Sequence, residues 1–272
     1  MNSTVHPNTK LISVNITTFN RASLLQRCLE SVLEQSYDNL EIVVVDDCST
    51  DHTPEVMDNY LKRYDNVKYI RHEKNKGNAC ARNTALANCS GHYVAFMDDD
   101  DAWIDPDKLK KQVAVFESQD DGKLGIVCSS VKVVAEDGSE VLKIERHPKN
   151  LVDHILRKNG IIHNSTVLTR KSIMEKVGGF DIKMPRGVDS EFFRTLIVDY
   201  GYHVHFMPEI TAAYYEHAGL RMTTDSKKAI LKTLKGNYRV ISKHYASFLK
   251  YPGAFFERLY LASKKIFKTI LQ

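Results

Sequence analysis

The chain has 272 residues, 43% of them hydrophobic, and a net charge of +4 from 38 Lys and Arg against 34 Asp and Glu. That length buries the core of one large domain or two modest ones without metal or disulfide staples, and five scattered cysteines (Cys28, Cys48, Cys80, Cys89, Cys128) with no C-x-x-C pair fit a reducing compartment. The first twenty residues lack a basic start followed by an apolar core, and no apolar run approaches the roughly 20 residues that cross a bilayer, so a cytoplasmic protein is expected.

The first half alternates short apolar runs with helix-like stretches, which predicts parallel strands joined by crossover helices in the order β-α-β-α-β-α-β. The runs are LISVNITT (11–18), EIVVVDD (41–47), VKYIR (67–71), HYVAFM (92–97) and, later, LGIVCSS (124–130). Most are continuously apolar, as in a sheet covered on both faces. Between the first two, Leu25, Cys28, Leu29, Val32 and Leu33 share a helical face, with Asn20 as the expected N-cap. Thr53-Pro54 reads as a cap followed by proline at the first helical position, ahead of Val56, Met57, Tyr60 and Leu61. Asp105-Pro106 repeats the device before Leu109, Val113 and Phe116.

From about residue 131 the pattern loosens. VKVVAEDGSEVLKI reads as a hairpin around Asp137-Gly138, and a polar helix and loop follow. GGFD (178–181) is a turn, and DSEFFRTLIVDYG sets Phe192, Phe193, Leu196 and Ile197 on one helical face. The stretch from Ser226 to Gln272 holds eleven Lys and Arg against one acid, Glu257, so it carries +10 and the rest of the chain −6. It reads as two basic amphipathic helices separated at Pro252-Gly253.

In an open parallel sheet, ligands bind at the carboxyl ends of the strands. Two acid clusters lie there: Asp46-Asp47 after IVVV, and Asp98 to Asp101 after YVAFM. Two like charges about 4 Å apart repel by ~1 kcal/mol in water and ~4 kcal/mol at an effective dielectric near 20. Several carboxylates at a half-buried strand exit therefore need a counter-charge. A hard divalent cation, Mg²⁺ or Mn²⁺, suits oxygen ligands and commonly holds phosphate too, which makes the site a place for a diphosphate; a solvated acidic loop is the plainer alternative. If the strand continued, Asp98 and Asp100 would point one way and Asp99 the other. Neither G-x-G-x-x-G nor G-x-x-x-x-G-K-[ST] occurs. An EF-hand from Asp98 fails because Trp103 and Leu109 stand where Gly and Glu are needed.

In order, ISVNITTFNR, Leu29-Glu30-Ser31-Val32, Gln35-Ser36-Tyr37, LEIVVVDDCSTDHT, NKGNACARN, SGHYVAFMDDDDAW, GGFD and GVDSEFFR span roughly residues 11 to 220. This set resembles glycosyltransferase family 2 with its GT-A fold, an α/β, Rossmann-like, mostly parallel sheet flanked by helices. The resemblance implies a catalytic domain over 1–225, with a nucleotide-binding half of about 8–131 and an acceptor half of about 132–225, followed by the basic helical tail 226–272. It implies transfer of a hexose or N-acetylhexosamine from a UDP-sugar, with inversion and with Mn²⁺ or Mg²⁺, to a saccharide hydroxyl. The acceptor implied is a lipid-diphosphate-linked intermediate of bacterial surface polysaccharide such as O-antigen or capsule.

By the same resemblance, Thr17 and Phe19 border the nucleotide; family members often carry Tyr in place of Phe19, so stacking survives but any phenol contact is lost. Asp47 accepts a hydrogen bond from the base. The family's Asp-x-Asp motif is matched by Asp98-Asp99-Asp100, with Asp98 on the ribose and metal-shell side, Asp99 in the nucleotide-sugar site and Asp100 a direct metal ligand. Asp101 faces the acceptor or a water near the ion. The family's base precedes a helix, which Val188-Asp189 matches without the preceding Glu, so Asp189 is the expected general base and Glu191 the fallback. N-capping is the other role open to Asp189. In YYEHAGLRMT, His217 completes the metal shell or meets the diphosphate, and Arg221 clamps phosphate. Arg82 meets the nucleotide or the acid cluster, His163 and Asn164 are acceptor contacts, and Trp103 either packs under the acid loop or forms an acceptor platform.

The tail interleaves Phe248, Phe255, Phe256, Leu259, Leu261, Ile266, Phe267 and Leu271 with lysines. That suits either an anionic membrane surface, peripheral on the inner face of the cell membrane, or a cap that packs its apolar side on the catalytic domain. Nucleic acid is not expected beside an acidic body without a recognition motif. Two rivals remain: a nucleotide-sugar or carbohydrate binding protein without turnover, and a nucleotidyltransferase, which would release diphosphate rather than UDP.

Overall fold

A computed structural model of the chain describes residues 9–119, 121–158, 161–216 and 227–270. The first half builds four parallel strands, β1 (Ile12–Thr18), β2 (Leu40–Asp46), β3 (Val67–Arg71) and β4 (Tyr93–Asp98), in the order β3-β2-β1-β4. Helices α1 (Ala22–Leu33), α2 (Thr53–Leu61) and α3 (Asn78–Asn88) make the crossovers. Alternate side chains of these strands feed two separate cores. Val43, Val45, Val94 and Phe96 join Ala81 and Ala85 of α3 in one, while Ile42, Val44, Tyr93, Ala95 and Met97 join Leu25 and Leu29 of α1 in the other. Burial on both faces is why the runs read as unbroken apolar stretches.

The chain continues through β5 (Ala102–Trp103), α4 (Lys108–Ser118), β6 (Leu124–Val134) and β7 (Glu140–Lys143). β6 and β7 form the expected hairpin, with Gly138 at φ 80° in its turn. Then come α5 (Leu151–Arg157), a 3₁₀ turn (Asn164–Thr166), β8 (Leu168–Arg170), α6 (Lys171–Val177), α7 (Val188–Arg194) prolonged by a π turn (Thr195–Asp199), and β9 (His203–Tyr215). β8 pairs antiparallel with both β4 and β6, and β9 runs parallel to β6, giving the order β3-β2-β1-β4-β8-β6-β9-β5.

Several local expectations are corrected. Asn20 does not cap α1: it sits at φ 54°, and its side chain takes the Thr50 N–H at 2.7 Å while Asp51 takes the Ala22 N–H at 3.0 Å. Thr53 is the first residue of α2 rather than its cap, with its hydroxyl turned to Asp51 at 2.6 Å. Asp105 forms a turn before α4, accepting the Asp107 N–H at 2.9 Å.

The tail is three helices, α8 (Lys227–Lys243), α9 (Tyr245–Lys250) and α10 (Pro252–Ile270). Pro252 opens the last of these because a first helical position needs no donor, and the extra break falls at His244. Val240, Phe248 and Ala254 enter the same core as Leu156, Phe192 and Phe193. Arg239 grips Asp181 at 2.6 and 2.9 Å, Arg157 reaches Glu257 at 2.8 Å, and Arg258 donates to the Leu156 carbonyl at 2.8 Å. The inner side of the tail is therefore a cap. Its outer side exposes Tyr238, Tyr245, Leu249, Phe256 and Tyr260, each more than 60% accessible. No helix among the described residues is long and apolar enough to cross a membrane. All five cysteines are free thiols.

Candidate active site

Parallel pairing brings the two acid clusters to one edge. Thr17 of β1 lies level with Val45 of β2 and Asp98 of β4, and Thr18 with Asp46, so Asp46-Asp47 and the 98–101 acids flank the exit of β1. The loops there are tied to each other: the Asn20 N–H donates to the Ser49 hydroxyl at 2.8 Å, and Cys48 adopts φ 71°.

The expected alternation of Asp98, Asp99 and Asp100 does not occur. β4 stops at Asp98, and the Asp101 N–H turns back to the Asp98 carbonyl at 3.1 Å. Asp98 accepts from Arg82 at 2.6 Å and from Asn164 at 2.8 Å; both bonds fall on Oδ1, and Oδ2 makes none among the described residues. Asp99 and Asp100 share one nitrogen of Arg21, Nη1, at 2.8 Å each. Asp101 is buried against the Ser165 hydroxyl. Burial raises the Asp99 carboxyl to about 6 even beside Arg21. Burial, with Asp98 and Asp100 adding to it, also lifts Asp101 well above the carboxylate range.

Among the described residues, Asp99 Oδ2 and Asp101 Oδ1 are buried without a hydrogen-bond partner. Two guanidinium groups thus face four carboxyls, and the outward pair, Asp98 and Asp100, offers hard oxygens to a divalent ion. Among the described residues no three His, Cys, Asp or Glu side chains converge on a metal position. An ion here draws its remaining ligands from a bound phosphate or water, as Mg²⁺ usually does. The donor set fits on those terms.

At the exit of β1, the Thr17 hydroxyl donates to Asn78 Oδ1 at 3.3 Å, the atom that also receives Arg82 Nε at 2.8 Å. Phe19 is exposed at the mouth. Asp47 is buried and already engaged on both oxygens: Oδ1 meets His72 Nδ1 at 2.7 Å and the Lys76 N–H at 2.8 Å, and Oδ2 takes the Gly77 N–H at 2.7 Å. A carboxylate has about four acceptor directions, so about one is left.

The far wall is built by the GGFD turn and α7. Gly178 and Gly179 have φ 85° and 76°, and a Cβ on Gly179 would meet Asn83 Oδ1 at 2.6 Å, so only glycine fits. Asn83 clamps Phe180, donating to its carbonyl and accepting its N–H at 2.8 Å each. The rings of Phe180, Phe192 and Phe193 pack on Phe96 with centroids 5.6, 6.3 and 6.2 Å away. Phe96 precedes Asp98 by two residues, so α7 is seated on the strand that carries the acids.

Asp189 lies one helical turn before those phenylalanines, half-buried, with no hydrogen bond or ion pair to its carboxylate among the described residues. The N-cap of α7 is Gly187 at φ 65°, and no side chain caps it, so Asp189 does not take the capping role. Glu191 does not stand as a fallback base. It is buried and accepts from Arg194 at 2.5 Å and His244 at 2.9 Å, with Lys243 at 3.2 Å. Burial would raise its pKa, but the His244 hydrogen bond and the charge of Arg194 outweigh this and pull it down to about 2.

Other expectations sort as follows. Asn164 is buried between Arg82 and Asp98, accepting from one and donating to the other, and braces the acid turn. His163 pairs with Glu145 at 3.2 Å. Trp103 packs beneath the loop, its indole N–H on the Ser165 carbonyl at 2.6 Å and Lys108 Nζ 4.2 Å from its ring centroid, so it is no acceptor platform. His217 and Arg221 lie outside the described residues. Arg21, Arg27, Asn78 and Ser165 enter the site unanticipated; the hints were that Arg21 ends the motif ISVNITTFNR and that Asn78 lies within NKGNACARN.

The family model described as Glycosyl transferase family 2 matches residues 13–178. TuaG of Bacillus subtilis (strain 168), which bears the name of a teichuronic acid biosynthesis glycosyltransferase, is 35% identical over 175 residues. The match covers 64% of this chain and 66% of TuaG, so the chain spans just under two thirds of that relative. Among solved structures, the mannosyltransferase PcManGT from Pyrobaculum calidifontis in complex with GDP-Man and Mn²⁺ matches with a TM-score of 0.67 at 20% identity, covering 97% of this chain and 74% of that one. S. aureus TarS 1–349 in complex with UDP-GlcNAc matches with 0.64 at 19%, covering 89% and 73%. At these identities the two structures bear on the fold alone.

Proposed function

The chain belongs to glycosyltransferase family 2, and on that premise we propose that it transfers a hexose or N-acetylhexosamine, with inversion, from a UDP-sugar to a saccharide hydroxyl with the help of Mn²⁺ or Mg²⁺. One arrangement carries the reading: outward-facing Asp98 and Asp100 at the exit of β4, with Asp189, unpaired among the described residues, on a helix seated on that same strand.

Asp100, with Asp98 beside it, would hold the ion, which when bound neutralises charge developing on the departing diphosphate. Arg82 and Asn164 hold Asp98 through Oδ1, which leaves Oδ2 for the ion. Asp189 accepts the proton of the acceptor hydroxyl. As that O–H bond breaks, the oxygen bonds to the anomeric carbon from the side opposite the phosphate. The bond from carbon to phosphate oxygen breaks, and UDP leaves with the electron pair.

The Asp47 corner supports uracil. Its one remaining acceptor direction matches the single imide N–H of uracil, whereas guanine presents two adjacent donors that would need both oxygens. The name of TuaG supports a place in bacterial surface polysaccharide synthesis. The exposed aromatic and basic side of the tail suits an anionic membrane, where a lipid-diphosphate-linked acceptor would sit.

The test is release of UDP from UDP-Glc, UDP-Gal, UDP-GlcNAc and UDP-GalNAc with Mn²⁺ and a panel of saccharide acceptors. Turnover of one donor, abolished in Asp100→Ala, supports the proposal. Silence on all four with turnover of GDP-Man overturns the base assignment, and tight UDP binding without turnover on any acceptor overturns the activity.

A further inference from the structure

Arg21 is the residue before α1, at the exit of β1, and it is the counter-charge of the acid turn that no spacing argument anticipated. We propose that Arg21 is an exchangeable cation: it holds Asp100 before the metal arrives and passes to the donor diphosphate once the metal takes that carboxylate. This rests on the glycosyltransferase reading above and assigns a role that the reading leaves open.

The geometry is graded from inside to outside. A single nitrogen, Nη1, lies 2.8 Å from Asp99 Oδ1 and 2.8 Å from Asp100 Oδ2. The Asp99 side chain is 5% exposed, Arg21 21% and Asp100 24%. The inner acid is an anchor that water does not reach. The outer one is shared with solvent and is the carboxylate that would bind metal. A divalent ion on Asp100 would set like charge against the guanidinium, so one carboxylate would serve the two cations poorly together. Arg21 leaves Asp100 while Asp99 keeps it at the rim, near Thr17 and Phe19. A planar guanidinium matches phosphate oxygens well, so the displaced cation meets the incoming diphosphate.

The acid turn does not depend on Arg21 for its shape. Arg27 Nη2 holds the Asp100 carbonyl at 2.5 Å, and the Arg27 guanidinium lies 3.7 Å from the Tyr215 ring centroid. The Asp101 N–H closes the turn on the Asp98 carbonyl, and the Ser165 hydroxyl holds Asp101 from the other side. Removing the Arg21 charge therefore changes the electrostatics of Asp100 more than its position. A purely structural ion pair would behave differently, because its loss would loosen the turn and weaken every ligand alike.

The test uses the full chain and Arg21→Gln. Free Mn²⁺ is counted by electron paramagnetic resonance, quenching of Trp103, the only tryptophan, follows binding at the loop, and UDP is titrated calorimetrically at saturating Mn²⁺. Exchange predicts opposite shifts: Mn²⁺ alone binds about tenfold tighter and UDP about tenfold weaker than in the wild type. Arg21→Lys, which keeps charge but not the planar fork, lies between, with opposite shifts of about threefold. If Arg21→Gln fails to fold, the Arg21→Lys pair of titrations decides. Parallel weakening, or no change, in a variant with a native circular dichroism spectrum overturns the exchange while leaving the glycosyltransferase reading intact. A wild type that binds neither Mn²⁺ nor UDP overturns both.

Discussion

Glu191→Gln keeps the shape of a buried side chain and deletes the charge around which α7 and the tail are joined. In the folded chain that carboxylate is almost fully buried, with Arg194 at 2.5 Å equally buried, His244 at 2.9 Å and Lys243 at 3.2 Å. Lowering the Glu191 pKa from its ordinary 4.5 to about 2 corresponds to about 3 kcal/mol of stability at pH 7. Taking the Glu191 charge away from the buried Arg194 costs about 3–5 kcal/mol by the separate argument for broken buried pairs, so the two routes agree. At about 2–4 °C per kcal/mol for a chain approaching this size, the midpoint should fall by roughly 10 °C. Urea and thermal melts followed by circular dichroism read this directly. Because a depressed carboxyl stabilises the fold above its unfolded pKa, the contribution is full above pH 4.5 and disappears as pH falls toward 2. Wild-type and variant melts should therefore converge in acid. A loss below about 1 kcal/mol at pH 7, or a gap between the two that persists at pH 2, refutes the reasoning.

Asp189→Asn should lower turnover by about a hundredfold or more while leaving the UDP dissociation constant nearly unchanged; equal loss of both would remove Asp189 from the chemistry. Changing Leu249, Phe256 and Tyr260 together to Ser should weaken sedimentation with vesicles of mixed neutral and anionic lipid by about tenfold without altering the melt, since all three are exposed. Unchanged binding would return the outer side of the tail to mere solvent exposure. Lys108 is fully buried, donates to Gln112 at 2.7 Å and is pushed by burial down to about 7. The unfolded chain then holds the extra proton between pH 7 and 10.5, so stability should rise with pH across that window, and Lys108→Met should flatten the rise.

The strands of the first half were legible because each is an apolar run closed by polar turn residues, and burial on both faces leaves that signal unbroken. The second half follows a different logic. β8 has three residues, Leu168–Arg170, too few to show any period, and it enters the sheet only because β4 and β6 offer it edges on both sides. β9 carries Pro208 and Glu209 inside a thirteen-residue strand, and its pairing with β6 slips register between Ser129 and Val131, which blurs the alternation. In the tail, Tyr251-Pro252-Gly253 reads as a separator although proline is also a good first residue. The break at His244 coincides with its ring being held between Asp199 at 2.8 Å and Glu191 at 2.9 Å, contacts across 45 and 53 residues that leave no local trace.

The same distinction governs the site. Like charges gathered at strand ends are visible in a sequence because they demand an explanation, whereas their partners are not. Arg21 reaches Asp99 across 78 residues and Arg82 reaches Asn164 across 82, and such pairings have no spacing to recognise. Assigning the whole counter-charge to a metal therefore overstated what the ion must supply, and the two arginines reduce its task to the outward pair. Asp189 and Glu191 show the converse, since two acids two positions apart could not be ranked by type alone. On a helix of 3.6 residues per turn they point about 200° apart. Once Glu191 is found held by the cations of the tail cluster, helical phase puts Asp189 on a different side of α7. The Phe192 and Phe193 packing on β4 keeps that helix against the strand whose end carries the acids, so the cap that uses one carboxylate for stability also sets the direction of the other.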